Sequence, residues 1–195
     1  MKKVRDHYFK KARKENYPAR SVYKLQEVQK KYQVIRKNNT VLDLGCCPGS
    51  WSLYAAEIVG SGGRVTGIDL KPVKVKNRAA KWLEFIRGDI FSELNVLAGE
   101  RVDVVLSDMA PQTSGNKFTD HVKSVELAVR ALEICGVSLK AGGNFYCKVF
   151  QGEDFPGFVA DVKKNFKLVK VVKPKSSRSE SREVFVLGMN FRGLR

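Results

Sequence analysis

The stretch VLDLGCCPGSW (41–51) decides the fold. A short apolar run gives way to a turn containing Gly45, Pro48 and Gly49, then to a segment with helical spacing, the form of a buried strand feeding a helix. Three more apolar runs end in the same manner: VTGIDL (65–70), VVLSDMAP (104–111) and FYCKVF (145–150). In open α/β sheets the carboxyl ends of such strands form the ligand crevice. The turn at 45–49, Asp69, Asp108 and Lys148 are therefore expected to face one cavity.

Outward from these runs, strand and helix patterns alternate. Val22, Leu25, Val28, Gln29 and Tyr32 have a rough 3.6 period and predict a helix over 20–34, with Ser21 as its cap. Strand 40–45 leads into helix 49–59, which Gly60, Gly62 and Gly63 end, and strand 64–70 follows. The pattern continues with a helix from Lys71-Pro72 to about Trp82, strands 84–87 and 102–107, a loop at 109–118, helix 119–139 and strand 144–150. A helix at 154–165 and strands 167–173 and 183–191 complete it. This predicts an α/β fold: a mostly parallel seven-stranded sheet with helices on both faces. The last two strands, joined by KPKSSRSESR without a helix, are expected to form an antiparallel edge hairpin. With 195 residues and 43% hydrophobic content, one domain over 1–195 is expected: a basic segment and helix over 1–37 and a catalytic core over 38–195.

The formal net charge is +16, which points to a polyanionic partner. The excess is local. Residues 1–37 carry thirteen Lys or Arg against Asp6, Glu15 and Glu27, and 163–182 carry eight against Glu180 alone. A nearly neutral middle with basic ends suits a catalytic domain that grips nucleic acid, and Tyr8, Phe9, Tyr17, Tyr23 and Tyr32 lie among the first set of cations. Tyr23 is expected to anchor the segment rather than stack on a base. Cys46, Cys47, Cys135 and Cys147 lack CxxC spacing, so no metal site is expected, and their apolar settings suggest buried thiols of a cytoplasmic protein. No run reaches the roughly 20 apolar residues of a membrane span, and no membrane partner is expected.

The turn after the first strand does not match GxGxxG, which disfavours a dinucleotide and an NAD-dependent oxidoreductase. Asp69, at the end of the second strand, is placed to accept both hydroxyls of a ribose. Asp89, after the third, is placed to accept from an adenine amine, and Trp51 to supply an apolar wall. An acidic pocket without GK[ST] suits an adenosyl ligand that has no phosphate. His7 and His121 have no accompanying acid or nucleophile motif, and Ser107 and Ser114 lack a GxSxG setting, which disfavours hydrolysis.

Residues ARSVYKL (19–25), DLGCCPGSWS (43–52), SDMAP (107–111), CKVFQGE (147–153) and SSRSESREVF (176–185) resemble the FtsJ/RrmJ family of ribosomal large-subunit RNA 2′-O-ribose methyltransferases. The resemblance covers nearly the whole chain. It implies a Rossmann-like methyltransferase fold, S-adenosyl-L-methionine as donor, and a catalytic quartet falling on Lys24, Asp108, Lys148 and Glu183. Its cofactor positions fall on Gly49, Trp51, Asp69, Asp89 and Asp108, beside Gly45 and Pro48 of the turn. Cys46-Cys47 stand where alanines are usual, and Ser50 replaces a second glycine.

Methyl transfer to a ribose hydroxyl needs a base and tight positioning. Lys148 is the expected proton acceptor, oriented by Asp108; Lys24 would stabilise alkoxide charge and Glu183 would hold the lysines or a ribose hydroxyl. The resemblance suggests a uridine in the A loop of large-subunit rRNA, presented in the assembled subunit; a monomer is expected. A tRNA 2′-O-methyltransferase and a non-catalytic RNA-binding assembly factor are the alternatives. No cysteine follows the fourth strand for pyrimidine carbon-5 chemistry, and SDMAP has no aromatic to hold a flipped base.

Overall fold

The computed structural model describes residues 2–75, 81–92, 101–112, 114–178 and 180–193. Its helices are α1 (Lys2–Lys14), α2 (Val22–Tyr32), α3 (Ser50–Val59), α4 (Lys117–Ser138) and α5 (Phe155–Asn165), with one 3-10 turn at Gly60–Gly62. The strands are β1 (Thr40–Leu44), β2 (Arg64–Asp69), β3 (Leu83–Arg87), β4 (Val102–Ser107), β5 (Leu139–Phe150), β6 (Phe166–Val172) and β7 (Glu183–Phe191). They form one sheet in the order β3-β2-β1-β4-β5-β7-β6. β1 to β5 run parallel, and β7 pairs antiparallel with both β5 and the edge strand β6. This is the expected Rossmann-like α/β sheet. The chain builds outward from β1 to β3, then returns to β4 on the other side of β1, and such a switch point opens a crevice at the strand ends.

The sheet buries two faces, and alternation along each strand sorts side chains between them. Leu42, Leu44, Val105, Phe145, Cys147, Val149, Val184 and Val186 pack with Ala131, Ile134 and Cys135 of α4 and Phe158 and Val162 of α5. Val41, Val104, Leu106, Tyr146, Phe185 and Leu187 point the other way, onto Leu25 and Val28 of α2 and Trp51, Ala55 and Val59 of α3. Asp108, Lys148 and Glu183 continue the second series at two-residue steps. Strand parity thus directs three charged residues from three strands toward the face that α2 covers.

Several local expectations shift. Ser21 occupies the α2 N-cap position but makes no side-chain cap bond. The basic amino terminus is itself a helix, α1, docked through Ala12 against Val22 and Tyr23. β5 begins at Leu139 rather than 144, and its pairing with β4 is irregular between Val102 and Val104. Of the helix expected up to Trp82, residues 72–75 have no regular structure, 81–82 form a turn, and the intervening five lie outside the described residues.

Candidate active site

The β1–α3 turn is tight because its glycines adopt backbone angles that other residues avoid. Gly45 has φ +70°, and a Cβ there would lie 2.3 Å from Cγ of Met109, so only glycine lets the two strand-end loops approach this closely. Gly49 has φ +104°, and its missing side chain accommodates Val73, Val75 and Phe85. Asp69 secures the turn from β2: its Oδ2 accepts the Cys47 N–H at 2.9 Å and its Oδ1 the Lys71 N–H at 2.8 Å.

A cavity of about 460 Å³ opens over these strand ends, lined by Gly45, Cys47, Asp69, Leu70, Asp89, Phe91, Asp108, Met109 and Gln112 among others. The expected site residues Gly45, Asp69, Asp89 and Asp108 therefore share one cavity. Lys148, Pro48, Gly49 and Trp51 are not in that lining. Pro48 is exposed, and its peptide bond with Cys47 is cis. Trp51, expected as an apolar wall, is packed into the protein: it is 2% exposed, its ring stacks 5.5 Å from Tyr146, and its Nε1 donates to the Ser21 carbonyl. It ties α3 to the start of α2. Leu70 and Phe91, both exposed apolar side chains, line the cavity. The sequence signal was an apolar residue just after a strand-end acid: Leu70 directly follows Asp69, and Phe91 comes two positions after Asp89.

Lys148 lies just behind the cavity wall. It is 7% exposed, and its Nζ donates to the Asp108 carbonyl at 2.5 Å and to Asp108 Oδ1 at 2.9 Å. Lys24 Nζ lies 3.9 Å from the same Oδ1 and donates to Glu183 Oε2 at 2.9 Å. The structure thus brings all four quartet residues into one alternating chain, Glu183–Lys24–Asp108–Lys148. Below it, Tyr146 donates its hydroxyl to the Lys24 carbonyl at 3.3 Å, and Phe185 places its ring 5.4 Å from the Lys24 ammonium. Burial pushes the Glu183 carboxyl up, but the Lys24 ammonium in contact outweighs it, with Lys148 adding to the effect, and the group lies below its ordinary value.

One buried acid was not singled out from sequence. Asp43, on β1, accepts from the Ser52 hydroxyl at 2.5 Å through Oδ2, while Oδ1 has no partner among the described residues. Burial pushes its carboxyl up to about 7 against the pull of Ser52, and the nearby Asp108 and Asp69 charges add to the rise. His121 is structural: Nδ1 lies 3.0 Å from the Phe150 carbonyl and Nε2 accepts the Asp154 N–H at 3.1 Å. The cysteines are free, and burial pushes the Cys147 thiol up to about 12. Among the described residues no group of three or more metal-ligating side chains gathers, and no helix is long and apolar enough to cross a membrane.

The two basic segments meet beside the quartet. Glu27 of α2 accepts the N–H groups of Lys175 and Ser176 at 2.7 and 2.9 Å, and Arg20 donates to the Ser176 carbonyl at 2.7 Å. Lys24 and Glu27 lie on α2 and Arg20 in the turn just before it, so the segment that places Lys24 also grips the β6–β7 loop. Tyr23 is buried, its hydroxyl donating to Glu15 and its ring packed on Tyr8, which makes it the expected anchor. Lys10, Lys11, Arg13, Lys14, Lys30, Lys173, Lys175 and Arg178 remain exposed.

Comparison with known proteins agrees with this architecture. The family model described as FtsJ-like methyltransferase matches residues 17–191. The chain is 54% identical to a ribosomal RNA large subunit methyltransferase E of Desulfosudis oleivorans, over 97% of this chain and 92% of that protein. It is 51% identical to the protein of the same name from Desulfotalea psychrophila, over 98% of each. A Plasmodium falciparum crystal structure described as a ribosomal RNA methyltransferase superposes with a TM-score of 0.76 at 30% identity, covering 91% of this chain and 100% of that one. The turn at 45–49, the strand-end acids and the quartet all fall within the matched span, and the chain belongs to the FtsJ-like methyltransferase family.

Proposed function

We propose that this protein transfers the methyl group of S-adenosyl-L-methionine to the 2′-oxygen of a ribose in large-subunit rRNA, at a uridine of the A loop in the assembled subunit. The observation that carries the reading is the Glu183–Lys24–Asp108–Lys148 chain, with Asp108 in the wall of the cavity and the other three beside it. The cavity suits the cofactor. Gly45 leaves room where a Cβ would collide, Asp69 and Asp89 present carboxylates to ribose hydroxyls and an adenine amine, and Leu70 and Phe91 offer apolar surface. When bound, S-adenosyl-L-methionine supplies an electrophilic methyl group.

The residues of this chain do the rest. Lys148 takes the 2′-hydroxyl proton at Nζ as the oxygen attacks. Asp108 holds that Nζ through its carbonyl and carboxylate. Lys24 stabilises charge on the oxygen, and Glu183 fixes Lys24 from the opposite side. The exposed cations of 1–37 and 163–182 hold phosphates of the RNA. On this reading the protein acts in the cytoplasm as a monomeric single domain, and the names of its relatives favour rRNA over tRNA.

The test is transfer of labelled methyl from S-adenosyl-L-methionine to large subunits from a strain lacking this gene, with the product nucleotide mapped. A 2′-O-methylated A-loop uridine, lost in Asp108→Ala and Lys148→Ala, is the expected result. Transfer to tRNA alone, or cofactor binding without transfer to any RNA, overturns the substrate or the catalytic reading respectively.

A further inference from the structure

Arg130 sits in the middle of α4, 8% exposed, and none of the chemistry above uses it. Its Nε and Nη2 both donate to the Ile90 carbonyl, at 2.9 and 2.8 Å, and Nη2 also reaches the Phe91 carbonyl at 3.3 Å. The Phe91 ring lies 5.7 Å from the guanidinium carbon. A buried guanidinium is thus directed onto the two residues that follow Asp89, and Asp89, Ile90 and Phe91 all line the cavity.

The Ile90 side chain packs into the core, but the other hydrogen bonds of the turn are local. Phe91 N–H bonds to Asp89 Oδ1 and Ser92 N–H to the Asp89 carbonyl, both within the turn, and Gly88 N–H reaches the Asp69 carbonyl at its start. Among the described residues, the hydrogen bonds that tie 89–92 to the body of the protein come from Arg130. The planar fork is suited to this, because it satisfies one carbonyl with two donors and still reaches the next, which a lysine's point charge does less well.

We propose that Arg130 is a positioning residue for the adenine end of the cofactor site: it clamps the turn so that the Asp89 carboxylate and the Phe91 ring keep their places in the cavity wall. This rests on reading the cavity as the S-adenosyl-L-methionine site. Loss of the guanidinium leaves the buried Ile90 carbonyl without its donor, and the turn relaxes to find another. The ion-pair partner of Arg130, Glu133, has a side chain 55% exposed and stays solvated, so a neutral replacement strands no buried charge.

The experiment is calorimetric titration of S-adenosylhomocysteine and of adenosine into wild type, Arg130→Lys and Arg130→Met, with hydrogen exchange of residues 88–92, melting temperature and the kcat and KM of methyl transfer alongside. In R130M, both ligands bind about tenfold more weakly, in equal proportion, which corresponds to about 1.4 kcal/mol. KM for the cofactor rises more than kcat falls, the amides of the turn exchange faster, and R130K lies between. Wild-type affinity in R130M overturns the inference, as does a lower melting temperature with both affinities unchanged. If R130M does not fold, the same comparison on R130K decides. Wild type binding neither ligand overturns the cofactor reading itself, an outcome separate from equal binding by wild type and variant.

Discussion

Lys148 Nζ donates to both the main-chain carbonyl and the carboxylate of Asp108, so a single side chain joins the ends of two adjacent parallel strands. Asp108 faces the cavity while Lys148 does not. Replacements at the two positions therefore separate. Lys148→Met is expected to lower kcat by at least about 100-fold, the usual scale of general base loss, with S-adenosylhomocysteine binding retained. Asp108→Asn weakens both. Titration calorimetry beside single-turnover kinetics checks the difference.

Lys24 and Glu183 form the other half of the chain, and their effects on rate are expected not to add. Either Lys24→Gln or Glu183→Gln leaves its partner without its closest countercharge, and the double variant costs little more than the worse single one. A double-mutant cycle on kcat measures the coupling. Glu183 titrates below its ordinary value, so the stability it contributes is present above that ordinary value and is lost as pH falls through the lowered one.

Asp43 gives stability the opposite pH dependence. Its folded-state value, about 7, lies above the ordinary 3.8, so between these two the folded protein keeps a proton that the unfolded chain releases. Stability from this group is greatest below about pH 4 and falls as pH rises to about 7. At about 1.36 kcal/mol per unit the full change is on the order of 4 kcal/mol. Urea unfolding of Asp43→Asn across this range is expected to show a flatter decline than wild type.

Gly45→Ala places a methyl group 2.3 Å from Met109 Cγ, at a positive φ that costs about 1 kcal/mol before any clash. The variant is expected to lose roughly 1–3 kcal/mol of stability and to bind S-adenosylhomocysteine more weakly, because Met109 must move and it lines the cavity. Denaturant melts and calorimetry report the two losses separately.

RNA affinity is expected to fall steeply with salt. Lys14 and Lys175 are exposed and belong to the two basic segments that Glu27 and Arg20 join. Replacing both with alanine is expected to reduce the slope of log K against log salt by roughly 1–2 units without changing cofactor binding. Filter binding over a salt series tests it, and an unchanged slope removes these lysines from the RNA surface.

Much of the fold was legible because its signals are local. Apolar runs of strand length, separated by helical periodicities and broken by Gly45, Gly49 and Gly60, placed six of the seven strands within two residues of their observed starts. β5 began earlier because Leu139 pairs with Val102 before Gly142 and Gly143, which read as a stop. α1 was legible only as charge, since its apolar face is narrow. The packing of Trp51 was not legible, because an aromatic after a glycine turn suits a ligand wall or a core equally well, and its partners Tyr146 and Phe185 come from distant strands.

By itself the sequence determined the alternation of strands and helices, the acids at the ends of β2 and β4, and the concentration of positive charge in two segments, because each depends on neighbours in the chain. Only the tertiary structure decided that Lys24 meets Glu183 across 159 positions, that the basic segments join, and that Arg130 grips the turn after Asp89. Those contacts depend on the strand order β4-β5-β7 and on which face α2 and α4 cover. Local backbone preference does not encode that order; it emerges when both faces of the sheet are buried at once.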